Sequence, residues 1–472
     1  MSHDPAPRAR AVPAIAAALA LVAGGVVARA AEQPAAPPAP PAPLDTASAP
    51  DAYIAPSPAT YRALADAAET MLHRDVIDVW FPRAIDDERG GFRSDFARDW
   101  SATLPHDGKF SVFQARLTWL SAELAVRRPE LKDRFLPIAR HGLSYLTDVL
   151  WDRQSGGFFW GLDEQGKISA EYTDGKHLYG NSFCLYALAA VYQATGDPAV
   201  LGFAKRAFRW LDEHGHDSKY GGYFEWLTRE GKPAVARAET GKVDMVPVAM
   251  FPVGYKSMNT HIHLLESFTQ LYEVWKDPTL RKRIEELVAI IRDKICVAPG
   301  AMNLYLTDAW IALPGHDSYG HDVEAAYLML EAEEVLGHGH APRTLIMARM
   351  LVDHALAYGW DAARGGFYRD GGTYGPPEDK QKEWWVEAEG LNALLLMHDL
   401  YGTTTDAYFR AFQKQWQFIN DFQRDPEFHG LYEMIDGEGR PVAGGKGRIW
   451  KEGYHEGRAL LNVTARLQKL AR

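Results

Sequence analysis

The chain alternates two kinds of helical run, and that alternation leaves few ways to fold. Residues 60–79, 132–150, 200–213, 280–295, 343–358 and 408–422 are amphipathic, with a charged side. Between them, residues 112–126, 181–194, 259–275, 320–336, 385–400 and 454–467 are apolar nearly all round. A helix without a polar stripe is surrounded by protein. Six enclosed and six enclosing helices, taken in turn along the chain, predict an all-α fold, an (α/α)6 barrel. A solenoid of helix pairs would keep a regular repeat length and capping repeats. Here the apolar runs begin at uneven intervals.

Glycine punctuates the alternation. Gly90-Gly91-Phe92, Gly156-Gly157-Phe158, Gly221-Gly222-Tyr223 and Gly365-Gly366-Phe367 each follow a helical run, with a degenerate His429-Gly430-Leu431 near the end. Short alternating stretches come next, such as Phe158-Phe159-Trp160-Gly161-Leu162-Asp163 before the polar turn Glu164-Gln165-Gly166-Lys167. They predict short β-hairpins in the connecting loops. The connections at 225–257 and 298–319 are long, and long ordered loops on one face usually carry function.

Ahead of the barrel, Arg8 and Arg10 precede an apolar run at 11–27, and Ala28-Arg29-Ala30 offers a small-residue cleavage pattern. Residues 1–30 therefore read as a secretory signal, 31–58 as an Ala/Pro-rich linker and 59–472 as the barrel. The expectation is export to the periplasm without stable membrane insertion after cleavage, with an uncleaved membrane anchor as the alternative. The 47% of hydrophobic residues suffices for a large core, and a formal net charge of -11 speaks against nucleic acid as a partner. The two cysteines, Cys184 and Cys296, lie in helical segments and read as buried, unpaired thiols. A monomer or a homodimer is compatible with all of this.

In such a barrel the inner helices begin at one end, so polar residues at their starts converge on one cavity. Those starts carry Arg116, Tyr179, Asn181, Asn259, His263, His321 with Glu324, Trp384, Trp385 and Glu389, then Trp450 and His455. His321 and Glu324 share one helical face, so the carboxylate is expected to orient the imidazole. A metal fragment, His261 and His263 with Glu266, is weakened because residues two apart on a helix point apart. No HExxH, P-loop, dinucleotide fingerprint or nucleophile elbow occurs, so no metal and no cofactor is assigned. Glu324 and Glu389 would serve as the two carboxylates of a glycoside hydrolase. Opposed histidines with an arginine suit another chemistry, removal of a proton next to a carbonyl, because imidazole titrates near neutral pH and a guanidinium stabilises the oxyanion. Trp384, Trp385, Trp450 and Tyr454 offer flat faces for a small sugar.

The stretches Lys256-Ser257-Met258-Asn259-Thr260-His261-Ile262-His263, Ser318-Tyr319-Gly320-His321-Asp322-Val323-Glu324, Trp384-Trp385-Val386-Glu387-Ala388-Glu389 and Tyr454-His455-Glu456-Gly457-Arg458 resemble the N-acylglucosamine 2-epimerase family, most closely its cellobiose 2-epimerase branch. The resemblance runs from about residue 60 to the C-terminus. It implies an (α/α)6 barrel that opens a sugar ring and moves the proton at C2 without a metal. His321 and His455 would then be the acid/base pair, and His263 and Arg116 would assist ring opening and stabilise a cis-enediolate. Tyr179, Asn259, Trp384, Trp385, Glu389 and Trp450 would contact the sugar, with Trp450 under a second ring. An aldose-ketose isomerase of the mannose isomerase type would use the same groups, and a non-catalytic sugar-binding protein the same cavity. One departure stands out: the branch reads Cys-Pro-Tyr-His-Asn-Gly-Arg where this chain has Glu452-Gly453-Tyr454-His455-Glu456-Gly457-Arg458.

Overall fold

The computed structural model describes residues 53–103, 108–234, 245–248, 253–373 and 376–472. The expected signal and nearly all of the linker lie outside these residues. The inner helices are α2 (Ser111–Arg127), α4 (Leu178–Thr195), α6 (Met258–Val274), α8 (Tyr319–Val335), α10 (Trp384–Tyr401) and α12 (Tyr454–Leu470). Outside them stand α1 (Pro58–Met71), α3 (Lys132–Tyr145), α5 (Pro198–Gly215), α7 (Pro278–Ile290), α9 (Pro342–Tyr358) and α11 (Ala407–Phe418). Each inner helix packs between its neighbours, and α12 closes the ring against α2. The chain is an (α/α)6 barrel.

Local chemistry starts the outer helices. α1, α5 and α7 open on proline, behind Ser57, Asp197 and Asp277. Proline there lacks an N–H that would be orphaned in any case, and the preceding side chain accepts from the first free amide, as Asp277 does from Thr279 N at 2.8 Å. Val200, Ala204, Ala207, Phe208 and Leu211 of α5 are buried, one stripe at helical spacing. By contrast α4 is buried continuously from Leu178 to Val191. No helix among the described residues is long and apolar enough to cross a membrane. Cys184 and Cys296 are buried and unpaired.

Short hairpins occur in the connections, Cys296–Val297 with Ala301–Met302 and Asp370–Gly371 with Pro377–Asp379, but other strands pair further along the chain. Glu164-Gln165-Gly166-Lys167 does turn, with Asp163 N donating to Lys167 O at 2.8 Å. Its strand β2 (Gly161–Leu162), however, pairs with β1 (Lys109–Phe110), the segment leading into α2. Likewise β3 (Lys176–His177) pairs with β4 (Trp226–Leu227), and β5 (Lys256–Ser257) with a strand at Tyr305–Leu306. Pairing each with the following repeat instead ties neighbouring inner-helix starts together. The end of the expected linker is also held: Ile54 N donates to Gln413 Oε1 at 3.0 Å, and helix α1 begins at Pro58.

A repeated pin fixes each helix start. Lys109, Lys176, Lys256 and Lys382 place their ammonium 2.7, 2.9, 2.7 and 2.8 Å from Asp86, Asp152, Asp217 and Asp361, the aspartates that precede the glycine pairs. In the last repeat Lys446 stands 3.0 Å from Asp425. Five residues beyond four of these lysines, Gln114, Asn181, His261 and Glu387 accept from the amides of Phe92, Phe158, Tyr223 and Phe367. Gly91 shows why glycine sits in the turn: its φ is +66°, and a Cβ there would lie 2.3 Å from Gln114 Oε1.

Candidate active site

The starts of the inner helices converge on a cavity of about 300 Å³. Of the twelve residues expected there, ten line it: Arg116, Tyr179, Asn259, His263, His321, Glu324, Trp384, Trp385, Trp450 and His455. Glu383, at the start of the fifth inner helix, Arg369 and Arg448 complete the wall; the two arginines escaped the sequence reading because they sit in connecting segments with no helical phase. Asn181 does not line the cavity. It accepts from Phe158 N at 2.8 Å and donates to Phe158 O and His177 O, so its hydrogen-bonding capacity is used in the pin. His261 is also a pin, and the fragment His261, His263, Glu266 is not a metal site: His261 Nδ1 donates to Ser257 O while His263 Nδ1 donates to Glu266 Oε2 at 2.8 Å.

Glu389 is the second correction. Rather than meeting the cavity, it lies behind His455 and accepts from His455 Nδ1 at 2.6 Å. Its other oxygen accepts from Tyr327 OH at 2.8 Å. The Nδ1–H of His455 is thereby fixed, leaving Nε2 as the lone-pair nitrogen of a neutral ring. Glu324 does not orient His321 either. The partner of His321 Nδ1 is Ser318 Oγ at 2.7 Å, and Glu324 turns the other way, toward Arg458. Both rings rest on Trp385, with centroid separations of 4.7 Å for His321 and 5.6 Å for His455.

Arg458 organises the floor. One turn beyond His455 on α12, it donates to Glu324 and, at 2.7 Å, to Glu389 through Nη2, and it reaches Glu266 through Nη1. One guanidinium thus serves three buried carboxylates. Burial alone would raise Glu266, but Arg458 and His263 hold it down at about 2. Glu324 is pushed up by burial and then by Glu389, and burial raises Glu389 against the pull of Arg458. The basic residue was legible, since an arginine within an apolar inner helix needs acidic company.

Opposite, Arg116 donates to Glu452 Oε1 at 3.1 Å and to Tyr179 OH at 3.0 Å. Burial opposes its charge, yet Tyr179 and Glu452 hold its pKa above the ordinary range. Loss of water, followed by the fields of His263, His316 and Arg116, brings His321 down to about 3. Burial and then Arg116 and Arg458 depress His455 well below its usual value. Both imidazoles are therefore neutral at pH 7, in the form that accepts a proton.

Fold and site together define a helical barrel with imidazoles set among aromatic rings at the starts of its inner helices. The chain belongs to the N-acylglucosamine 2-epimerase family, whose model matches residues 90–455. It is 28% identical to the cellobiose 2-epimerase of Bacteroides fragilis over 393 residues, which cover 82% of this chain and 95% of that protein. A D-mannose isomerase of Marinomonas mediterranea is 24% identical over 395 residues, 80% of this chain and 91% of that protein. Among solved structures, the cellobiose 2-epimerase of Spirochaeta thermophila superposes with a TM-score of 0.76 at 29% identity, covering 88% of this chain and 99% of that one.

Proposed function

We propose that the chain is a 2-epimerase of the reducing-end sugar of a free mono- or disaccharide, glucose/mannose or cellobiose-like. The observation that carries this is the pair His321 and His455, both packed on Trp385 and both with Nδ1 engaged by an oxygen. In the open-chain sugar one neutral histidine removes the proton at C2, and the electron pair moves onto the C1 carbonyl oxygen to give a cis-enediolate. Arg116 and His263 stabilise that oxyanion. The other histidine, neutral in the empty site, takes up one proton from water as the sugar binds and returns it to the opposite face of C2, so the two exchange protonation states in each turnover. Asn259 Oδ1, buried without a hydrogen-bond partner, is placed to accept from a sugar hydroxyl. A volume of about 300 Å³ stands at the small end of ligand sites, which suits one or two rings.

A second reading, aldose-ketose isomerisation with the proton returned to C1, draws on the D-mannose isomerase relative. A hydrolase is disfavoured because Glu324 and Glu389 share one nitrogen of Arg458 instead of facing each other across the cavity. The test is proton NMR of glucose, mannose, cellobiose and N-acetylglucosamine incubated with the protein in heavy water. Deuterium at C2 of an epimer supports the first reading and a ketose supports the second. No turnover of any of the four, with His455→Ala indistinguishable from wild type, refutes both. Export follows from the basic, apolar and small-residue succession at 8–30. Cell fractionation with N-terminal sequencing of the mature protein checks it.

A further inference from the structure

The pin that fixes five helix starts is inverted at the fourth. The bridge Ile85–Phe92 and its counterparts Trp151–Phe158, His216–Tyr223, Trp360–Phe367 and Arg424–Leu431 each enclose an aspartate one residue in. At the fourth start the matching pair is Cys296–Met302, and the enclosed residue is Val297. The lysine position ahead of the helix holds Asp317, and the residue five further on is Asp322. The ammonium is gone and two carboxylates stand in its place. Both are fully buried and none of their oxygens is in a well-formed hydrogen bond, the two carboxyl groups lying against each other and against the backbone of Met302.

The outer helix α9 adds His354, 2% exposed. Its Nε2–H donates to Thr373 O at 2.7 Å, which leaves the Nδ1 lone pair facing Asp317 Oδ2 at 3.4 Å and Asp322 Oδ2 at 3.6 Å. Nδ1 likewise has no hydrogen-bond partner. A lone pair aimed at two carboxylates in a dry interior is repulsive unless a proton or a metal cation lies among them. A histidine whose other nitrogen is tied to a backbone carbonyl is the arrangement found at metal ligands. Ligand atoms around tetrahedral zinc at about 2.0–2.2 Å lie roughly 3.3–3.6 Å apart, and the measured separations from Nδ1 are 3.4 and 3.6 Å.

We infer that Asp317, Asp322 and His354 bind a divalent first-row cation, zinc or manganese, which replaces the lysine ammonium of the other repeats. Two carboxylates and one imidazole match such ions in charge and in ligand type. The ion takes no part in the proton chemistry. It fixes strand Asp317–Ser318 and the first turn of α8, and so holds Ser318 against His321.

The experiment uses the full, untagged protein, dialysed against dipicolinate and then titrated separately with Zn²⁺ and Mn²⁺, with bound metal measured by mass spectrometry and the unfolding temperature recorded. Co²⁺ absorption reports on the ligand set. The expected result is about one equivalent of one of the two metals, with the unfolding temperature rising with its concentration. His354→Leu should bind less than a tenth of that. Asp317→Lys should restore the ammonium and give a folded protein whose unfolding temperature no longer responds to metal or chelator. The inference is overturned if the wild type binds less than a tenth of an equivalent of both metals. Stoichiometric binding that survives in either variant overturns it equally.

Discussion

Replacing Arg458 with methionine tests the electrostatic account of the barrel floor. The side chain is 2% exposed and is the shared partner of Glu266, Glu324 and Glu389. Methionine fills the volume, so the loss is the charge. Removing one partner of a buried ion pair costs about 3–5 kcal/mol, and the stranded carboxylates answer by taking up protons. Their folded pKa then lies above the unfolded value of about 4.3, so their contribution is fully present below that value and is lost as pH rises. Holding one carboxyl protonated in the fold costs about 1.4 kcal/mol per pH unit above 4.3: about 5 kcal/mol at pH 8 but about 1.6 kcal/mol at pH 5.5. In the wild type Glu266 behaves oppositely, since it is held at about 2; its contribution is present above its unfolded pKa and is lost only as pH falls toward 2. Urea unfolding followed by tryptophan fluorescence should therefore find Arg458→Met less stable than wild type by about 5 kcal/mol at pH 8, and by about 2 kcal/mol at pH 5.5. Adding Glu266→Gln should recover part of the deficit at the higher pH. A deficit that is equal at the two pH values, or below about 1 kcal/mol at pH 8, would refute the reasoning.

Glu389→Gln keeps a hydrogen-bond acceptor behind His455 but removes its charge; kcat for C2 exchange should fall about 10- to 100-fold while KM stays within about twofold. Ser318→Ala should lower kcat about tenfold, the worth of one hydrogen bond of about 1.4 kcal/mol, and the reduction should persist in a Glu324→Gln background, because Glu324 does not touch His321. Asn181→Ala strands the amide and carbonyl of Phe158; thermal unfolding should show a loss of about 1–3 kcal/mol, with KM unchanged. A raised KM would return Asn181 to the sugar site.

The barrel was legible because its signal is physical and repeated: continuous apolarity forces a helix inside, and six such runs force a ring. That the cavity lies at the helix starts was legible for the same reason. The phase of each start was not. Measured from the lysines that pin the glycine turns, the residue five on, as in Gln114, Asn181, His261 and Glu387, points back to the turn. The residue seven on belongs to the barrel interior: Arg116 follows Lys109 and His263 follows Lys256 by that interval, as Glu389 follows Lys382. Residues two apart on a helix leave in different directions, so Asn181, five on from Lys176, serves the turn while Phe183, seven on, packs against His263 and Arg116. Depth along the axis was hidden too, which is why Glu389 read as a sugar contact when it supports His455 from behind. The same lysine count also exposes the one start where the rule breaks. Asp317 is conspicuous only against Lys109, Lys176, Lys256 and Lys382, and its third companion, His354, comes from an outer helix that no pattern among the inner ones predicts. A barrel that repeats its pin five times and inverts its charge once has changed what neutralises that site, and the inferred cation supplies there the charge that a lysine ammonium supplies at the other starts.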